Sequence, residues 1–212
     1  MDGININQEL KIGLLHNMNE IEKLAKHYKV DKQIISDVLD VWAFIESNRD
    51  PEIISPNKVD RGTYQLGNNS EGGGFQRLKN GYLKIPEEVT PEWMGIAYED
   101  AKDNDNTINA EEYSKEKQDF IMAAYLLGNN NTLDFLKQLQ TEDNASTKLD
   151  MIVNTWLDEH WQGWQKKKNP ETVRANKKTE VLKRVRDDYK KDPNWISMSD
   201  GLNYNFNMND YA

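Results

Sequence analysis

Between Asp31 and Pro51 the chain places apolar residues at Ile34, Ile35, Val38, Leu39, Trp42 and Ile45, in steps of three and four. That period predicts a helix, and an apolar stripe of this width must be covered by other elements. Asp31 is suited to cap the start, and Asn48 to Pro51 end the helix because the residue before a proline is pushed out of the helical region. Glu46 interrupts the pattern. At about 100° per residue it lies about 20° from Ile35 and Leu39 and about 40° from Trp42, so a carboxylate shares the apolar azimuth. Burial there disfavours the charged form and raises the pKa, which suits a proton donor near neutral pH. The plainer alternative is a helix-end carboxylate that swings into water.

Other helices are predicted around this one. Glu9 to Tyr28 repeats apolar residues with a helical period. Thr90 and Pro91 open a helix to about Lys102, and another runs from about Asn109 to Leu127. Leu133 to Leu139 follows, Ser146 to Lys168 reads as one helix, and Pro170 opens a last charged helix ending near Pro193. Between Pro51 and Gly81, Pro, Gly, Asn and Ser surround the β-prone pieces Ile53-Ile54 and Thr63 to Leu66, which predicts a loop or small hairpin. The expected fold is mainly α, with a small β-hairpin or loop region near residues 53–66 and a helical C-terminal extension. The predicted units are 1–140, 141–193 and an Asn-rich aromatic tail at 194–212, ordered against a partner.

Composition excludes several function classes. With 212 residues, 36 acidic and 27 basic, the net charge is -9, which disfavours general nucleic-acid binding through phosphate repulsion. The basic run Lys166 to Lys168 and the segment from Arg174 to Lys191 read as a solvated helix face. Zero Cys removes disulfides, thiolate zinc sites and Cys nucleophiles. No run reaches the ~18 apolar residues of a membrane helix, and Met1 to Lys11 lack a secretory pattern, so synthesis in a host cytoplasm is expected.

Glu46-Ser47, Asp50-Pro51, Ser55-Pro56, Gly62 and Tyr64-Gln65-Leu66 together resemble the catalytic motif of the lysozyme-like lytic transglycosylases. Ala123 to Asn129 looks like that family's second motif, Ala-Tyr-Asn-x-Gly, with Leu126 where the motif has Asn. Gly62 to Leu66, Phe75 and Gln118 to Ile121 are similar to phage-borne peptidoglycan hydrolases of the same fold. The resemblance covers roughly residues 31 to 140. It implies an α+β lysozyme-like catalytic domain cleaving the β-1,4 glycan strands of peptidoglycan, with Glu46 as the acid. It also implies that Ser47 and Ser55 support Glu46 or its loop, lining the substrate side with Gly62, Thr63 and Gln65. Tyr64 and Tyr125 would stack on sugar rings.

An ordinary glycosidase needs a second carboxylate ~5 to 9.5 Å away. Asp50 and Asp60 are the nearby candidates, with Asp60 the better one. In a transglycosylase the substrate's N-acetyl group serves instead, which the thin supply of carboxylates favours. No cofactor is implied. Without a secretory pattern, the protein reads as phage-type and virion-associated, docking on other virion proteins through its C-terminal region. The competing expectation is a non-catalytic virion or assembly protein on a lysozyme-like scaffold.

Two further groups stand out. Ala101 to Glu112 looks like a degenerate calcium loop, with Asp103, Asp105, Thr107 and Glu112 at ligand positions but Ala101 where Asp is required. An acidic connecting loop accounts for the same residues. Trp156, Trp161 and Trp164 near His160 offer a stacking surface or, more simply, core; on a regular helix Trp161 falls about 140° from Trp156.

Overall fold

The computed structural model describes residues 19–56, 60–67, 85–94 and 113–191. It is mainly helical, and the C-terminal region is helical as the sequence predicts. The helices are α1 (Glu20–Tyr28), α2 (Lys32–Ser47), α3 (Lys115–Gly128), α4 (Asn130–Thr141), α5 (Ala145–Thr155) and α6 (Pro170–Lys191). Two short strands, β1 (Asp60–Arg61) and β2 (Leu66–Gly67), pair antiparallel, with Asp60 opposite Gly67 and Arg61 opposite Leu66. An isolated bridge from Ile54 to Arg61 joins them.

α2 is the central element. Asp31 caps it by accepting from Gln33 N at 2.9 Å, and Asn48 ends it in the left-handed region at φ 51°. Its buried residues run from Ile34 to Ile45 almost without a break, so it is covered nearly all round and not along one stripe alone. α3 is its counterpart, buried from Gln118 to Ala124 and again at Leu126 and Leu127. α1, α4, α5 and α6 pack around this pair. Trp42 ties α2 to α5 by donating from Nε1 to Ile152 O at 3.3 Å.

Two helix expectations change. Residues 9–18 of the predicted first helix lie outside the described residues, and Asn19, with extended backbone, caps α1 instead of lying within a helix. Asn19 Oδ1 accepts from Glu22 N at 2.8 Å. Ser146 to Lys168 is not one helix. α5 stops at Thr155, a π-turn spans Trp156–His160, and a 3-10 segment spans Gln162–Lys166. Leu149, Ile152, Trp156, Val181 and Val185 belong to the same hydrophobic cluster as Leu24, Trp42 and Phe120. The expected extension completes the core.

The calcium-loop residues Asp103, Asp105, Thr107 and Glu112, Phe75, and the 194–212 tail lie outside the described residues. Among the described residues no helix is long and apolar enough to cross a membrane. No group of three or more metal-ligating side chains occurs among them.

Candidate active site

Glu46 sits in the last turn of α2, where the stripe from Ile34 to Ile45 turns its side chain inward. Its side chain keeps 14% exposure, between core and solvent. Trp156 Nε1 donates to Glu46 Oε1 at 2.6 Å, and His160 Nε2 lies 3.3 Å from the same oxygen. Burial pushes the carboxyl above its ordinary range, while His160, the Trp156 hydrogen bond and Lys177 pull it down and Asp60 pushes it up. The negative end of the helix dipole, at the C-terminal turn, also disfavours the carboxylate.

The π-turn makes this arrangement possible. Its hydrogen bond runs from Trp161 N to Trp156 O at 2.8 Å. Spanning five residues where a regular helix spans four, it widens the turn. Trp161 therefore lies over Trp156, with centroids 5.9 Å apart and planes 8° from parallel, where a regular helix would have separated them. Trp156 is buried, Trp161 is half-buried, and Lys177 Nζ from α6 lies 5.8 Å from the Trp161 centroid. The same turn brings His160 onto Trp42, stacked at 5.6 Å, and its Nε2 to 2.9 Å from Tyr64 O.

The 60–67 segment is held by its backbone. Gly62 occupies the left-handed region at φ 72°. A Cβ is unfavourable there, which is the reason for glycine at this position. Gln65 closes the turn by donating from N to Gly62 O at 3.0 Å. Ser55 Oγ accepts from Asp60 N at 3.1 Å. Gln118 Oε1 accepts from Thr63 N at 2.7 Å, while its Nε2 donates to Pro51 O and Tyr113 O. One glutamine thus fastens the turn to α3.

Several substrate-side expectations require correction. The Tyr64 ring is 1% exposed and its hydroxyl donates to Asp119 Oδ1 at 2.5 Å, so it has no face for a sugar. Thr63 is fully buried, and buried Ser47 donates from Oγ to Ala43 O at 3.0 Å, within its own helix. Gln65 Nε2 is turned back onto Gly62 O at 3.0 Å. Thr63, Tyr64 and Gln65 build the turn, and Ser47 belongs to α2. Ser55 also supports the loop, and half-buried Tyr125 donates to Glu159 O at 3.3 Å, bracing the π-turn beside His160. Asp60 remains half-buried and close enough for its charge to be felt at Glu46.

Trp156, His160 and Lys177 are the site residues that sequence reasoning did not assign. The aromatic cluster was visible, but its bond to Glu46 spans 110 residues and depends on the π-turn. No family model, curated protein or solved structure matches the chain.

Proposed function

We propose that the protein cleaves the β-1,4 glycan strands of peptidoglycan on a lysozyme-like scaffold, with Glu46 as general acid and then general base. The observation that carries this reading is a lone helix-end carboxyl, biased toward its neutral form by burial and bordered by solvent, beside a glycine-turned loop. A neutral Glu46 can protonate the glycosidic oxygen as the C1–O bond breaks, and the resulting carboxylate can accept a proton from the attacking hydroxyl. In transglycosylation that hydroxyl belongs to the sugar, and in a muramidase to water. Asp60 is the available second carboxylate, and half-buried Trp161, stacked on Trp156, offers an aromatic surface beside Glu46's partners. We place the activity in a virion-associated, phage-type protein acting on the bacterial wall, docked through its C-terminal region.

Zymography and turbidity clearing on purified peptidoglycan test this, with Glu46→Gln as control. Clearing by the parent and none by the variant is the expected result; equal clearing removes Glu46 as the acid. Product mass separates an anhydro-muramic end from a reducing end. A second reading, a non-catalytic virion or assembly protein, is favoured by the burial of Thr63 and Tyr64, which leaves the 60–67 turn few side chains to offer a ligand. A folded parent with no clearing on any wall preparation would select it.

A further inference from the structure

Two nitrogens lie close to one oxygen of Glu46, one as a hydrogen-bond donor and one as a charge partner. Trp156 Nε1 meets Oε1 at 2.6 Å, and an indole nitrogen can only donate. His160 Nε2 is 2.9 Å from Tyr64 O. A carbonyl can only accept, so this nitrogen carries hydrogen. The same nitrogen faces Glu46 Oε1 at 3.3 Å. Among the described residues no donor meets Oε2. A neutral carboxyl with the Trp156 N–H on Oε1 best carries its own proton on Oε2, because a proton on Oε1 would confront that donor.

We propose that Trp156 and His160 are positioning residues that fix Glu46's proton on Oε2 and hold the carboxyl at a set distance from the 62–65 turn. The first effect comes from the Trp156 N–H and the second from the His160 nitrogen, which donates to Tyr64 O and faces Glu46 Oε1. Trp42, buried and stacked on His160, prevents the ring from turning away. The charged groups facing Glu46 are His160 from the π-turn, Asp60 from β1 and Lys177 from α6. Trp156 and His160 favour the carboxylate, so loss of either donor moves the Glu46 titration upward. This inference rests on Glu46 being the acid, but its first readout does not need activity.

The test follows the Glu46 side-chain carboxyl by carbon-13 NMR titration in the full chain, comparing Trp156→Phe, His160→Ala and His160→Gln. Trp156→Phe keeps an aromatic ring but loses the N–H together with part of the indole's volume, so its fold is checked first; His160→Gln keeps a donor at similar reach. An upward midpoint in the first two, with return toward the parent value in His160→Gln, is expected. Unchanged midpoints in folded Trp156→Phe and His160→Ala overturn the proposal. On peptidoglycan, kcat should fall roughly 10- to 100-fold with little change in KM, the scale of a misplaced catalytic group. A midpoint shift with full activity in Glu46→Gln would leave the clamp standing and remove the catalytic reading. Loss in Glu46→Gln with unmoved midpoints would do the reverse.

Discussion

Besides buried Asp37, α2 carries two carboxylates of contrasting character, Asp40 and Glu46. Asp40, in its middle, has a side chain 1% exposed and is gripped by Arg49, with Nε to Oδ1 at 3.2 Å and Nη2 to Oδ2 at 3.4 Å. Arg49 also reaches Asp188 on α6 at 3.4 Å, and nearby Asp119 is held by Lys115 Nζ at 2.7 Å and by the Tyr64 hydroxyl. Glu46, less than two turns later, is held by an indole and an imidazole, with solvent at its edge. A buried acid paired to a guanidinium is committed to structure, since losing its partner leaves an uncompensated charge. Glu46, held by an indole N–H and facing an imidazole, can change protonation state without leaving a guanidinium unpaired. That difference separates the two ends of the helix by chemical capability.

The contrast breaks most sharply at Glu46. Glu46→Gln should lower peptidoglycan cleavage by about 10²- to 10⁴-fold, the range for a general acid, while leaving the unfolding midpoint near the parent's. A large stability loss with no activity effect would place Glu46 with Asp40. Next comes Arg49→Met, expected to cost about 3 kcal/mol in urea unfolding at pH 7, because Asp40 keeps its burial and loses its fork. The same substitution should leave glycan cleavage per folded molecule unchanged.

The pH dependence of Asp40 sharpens the comparison further. Burial pushes its carboxyl up from 3.8 to about 6, against the opposing pull of Arg49 and Lys115. The folded state therefore binds this proton more tightly than the unfolded chain. Its stabilising contribution is full below about 3.8 and is lost as pH rises through about 6. The stability advantage of the parent over Asp40→Asn should accordingly shrink by on the order of 2–3 kcal/mol between pH 4 and pH 7. Paired urea titrations at the two pH values read it, and a constant difference would contradict it.

The smallest effect is expected at Tyr64. Tyr64→Phe removes the hydroxyl that satisfies Asp119, at a cost of about 1–2 kcal/mol. Lys115 still holds that carboxylate, which keeps the loss modest. Cleavage should persist, because the ring lies in the core. A selective rise in KM without loss of stability would instead restore Tyr64 to the substrate side.

Local signals in the sequence carried much of the helical architecture. Asp31, Asn48 and Pro170 mark real helix boundaries because capping and proline chemistry act within a few residues. A small hairpin near residue 60 was expected, but its strands are Asp60–Arg61 and Leu66–Gly67, and the β-prone Thr63 to Gln65 form the turn. The inward azimuth of Glu46 followed from the α2 period. Burial of Tyr64 was not readable, since it depends on Asp119, 55 residues away, and on Gln118 gripping the turn. The π-turn escaped for a related reason: Trp156 to Trp161 satisfies a helical pattern, and only packing against α2 and the 62–65 turn selects the wider turn.

What the sequence determined by itself was therefore local: where helices start and stop, that α2 must be covered, and that one of its carboxylates faces inward. Tertiary structure decided which groups meet that carboxylate. Trp156 and His160 come from a segment expected to extend the domain, and they reach Glu46 because α5 and α6 complete the core around α2. Periodicity fixes the direction of a side chain relative to its own helix, but the donors, charges and solvent it encounters are set by contacts across more than a hundred residues.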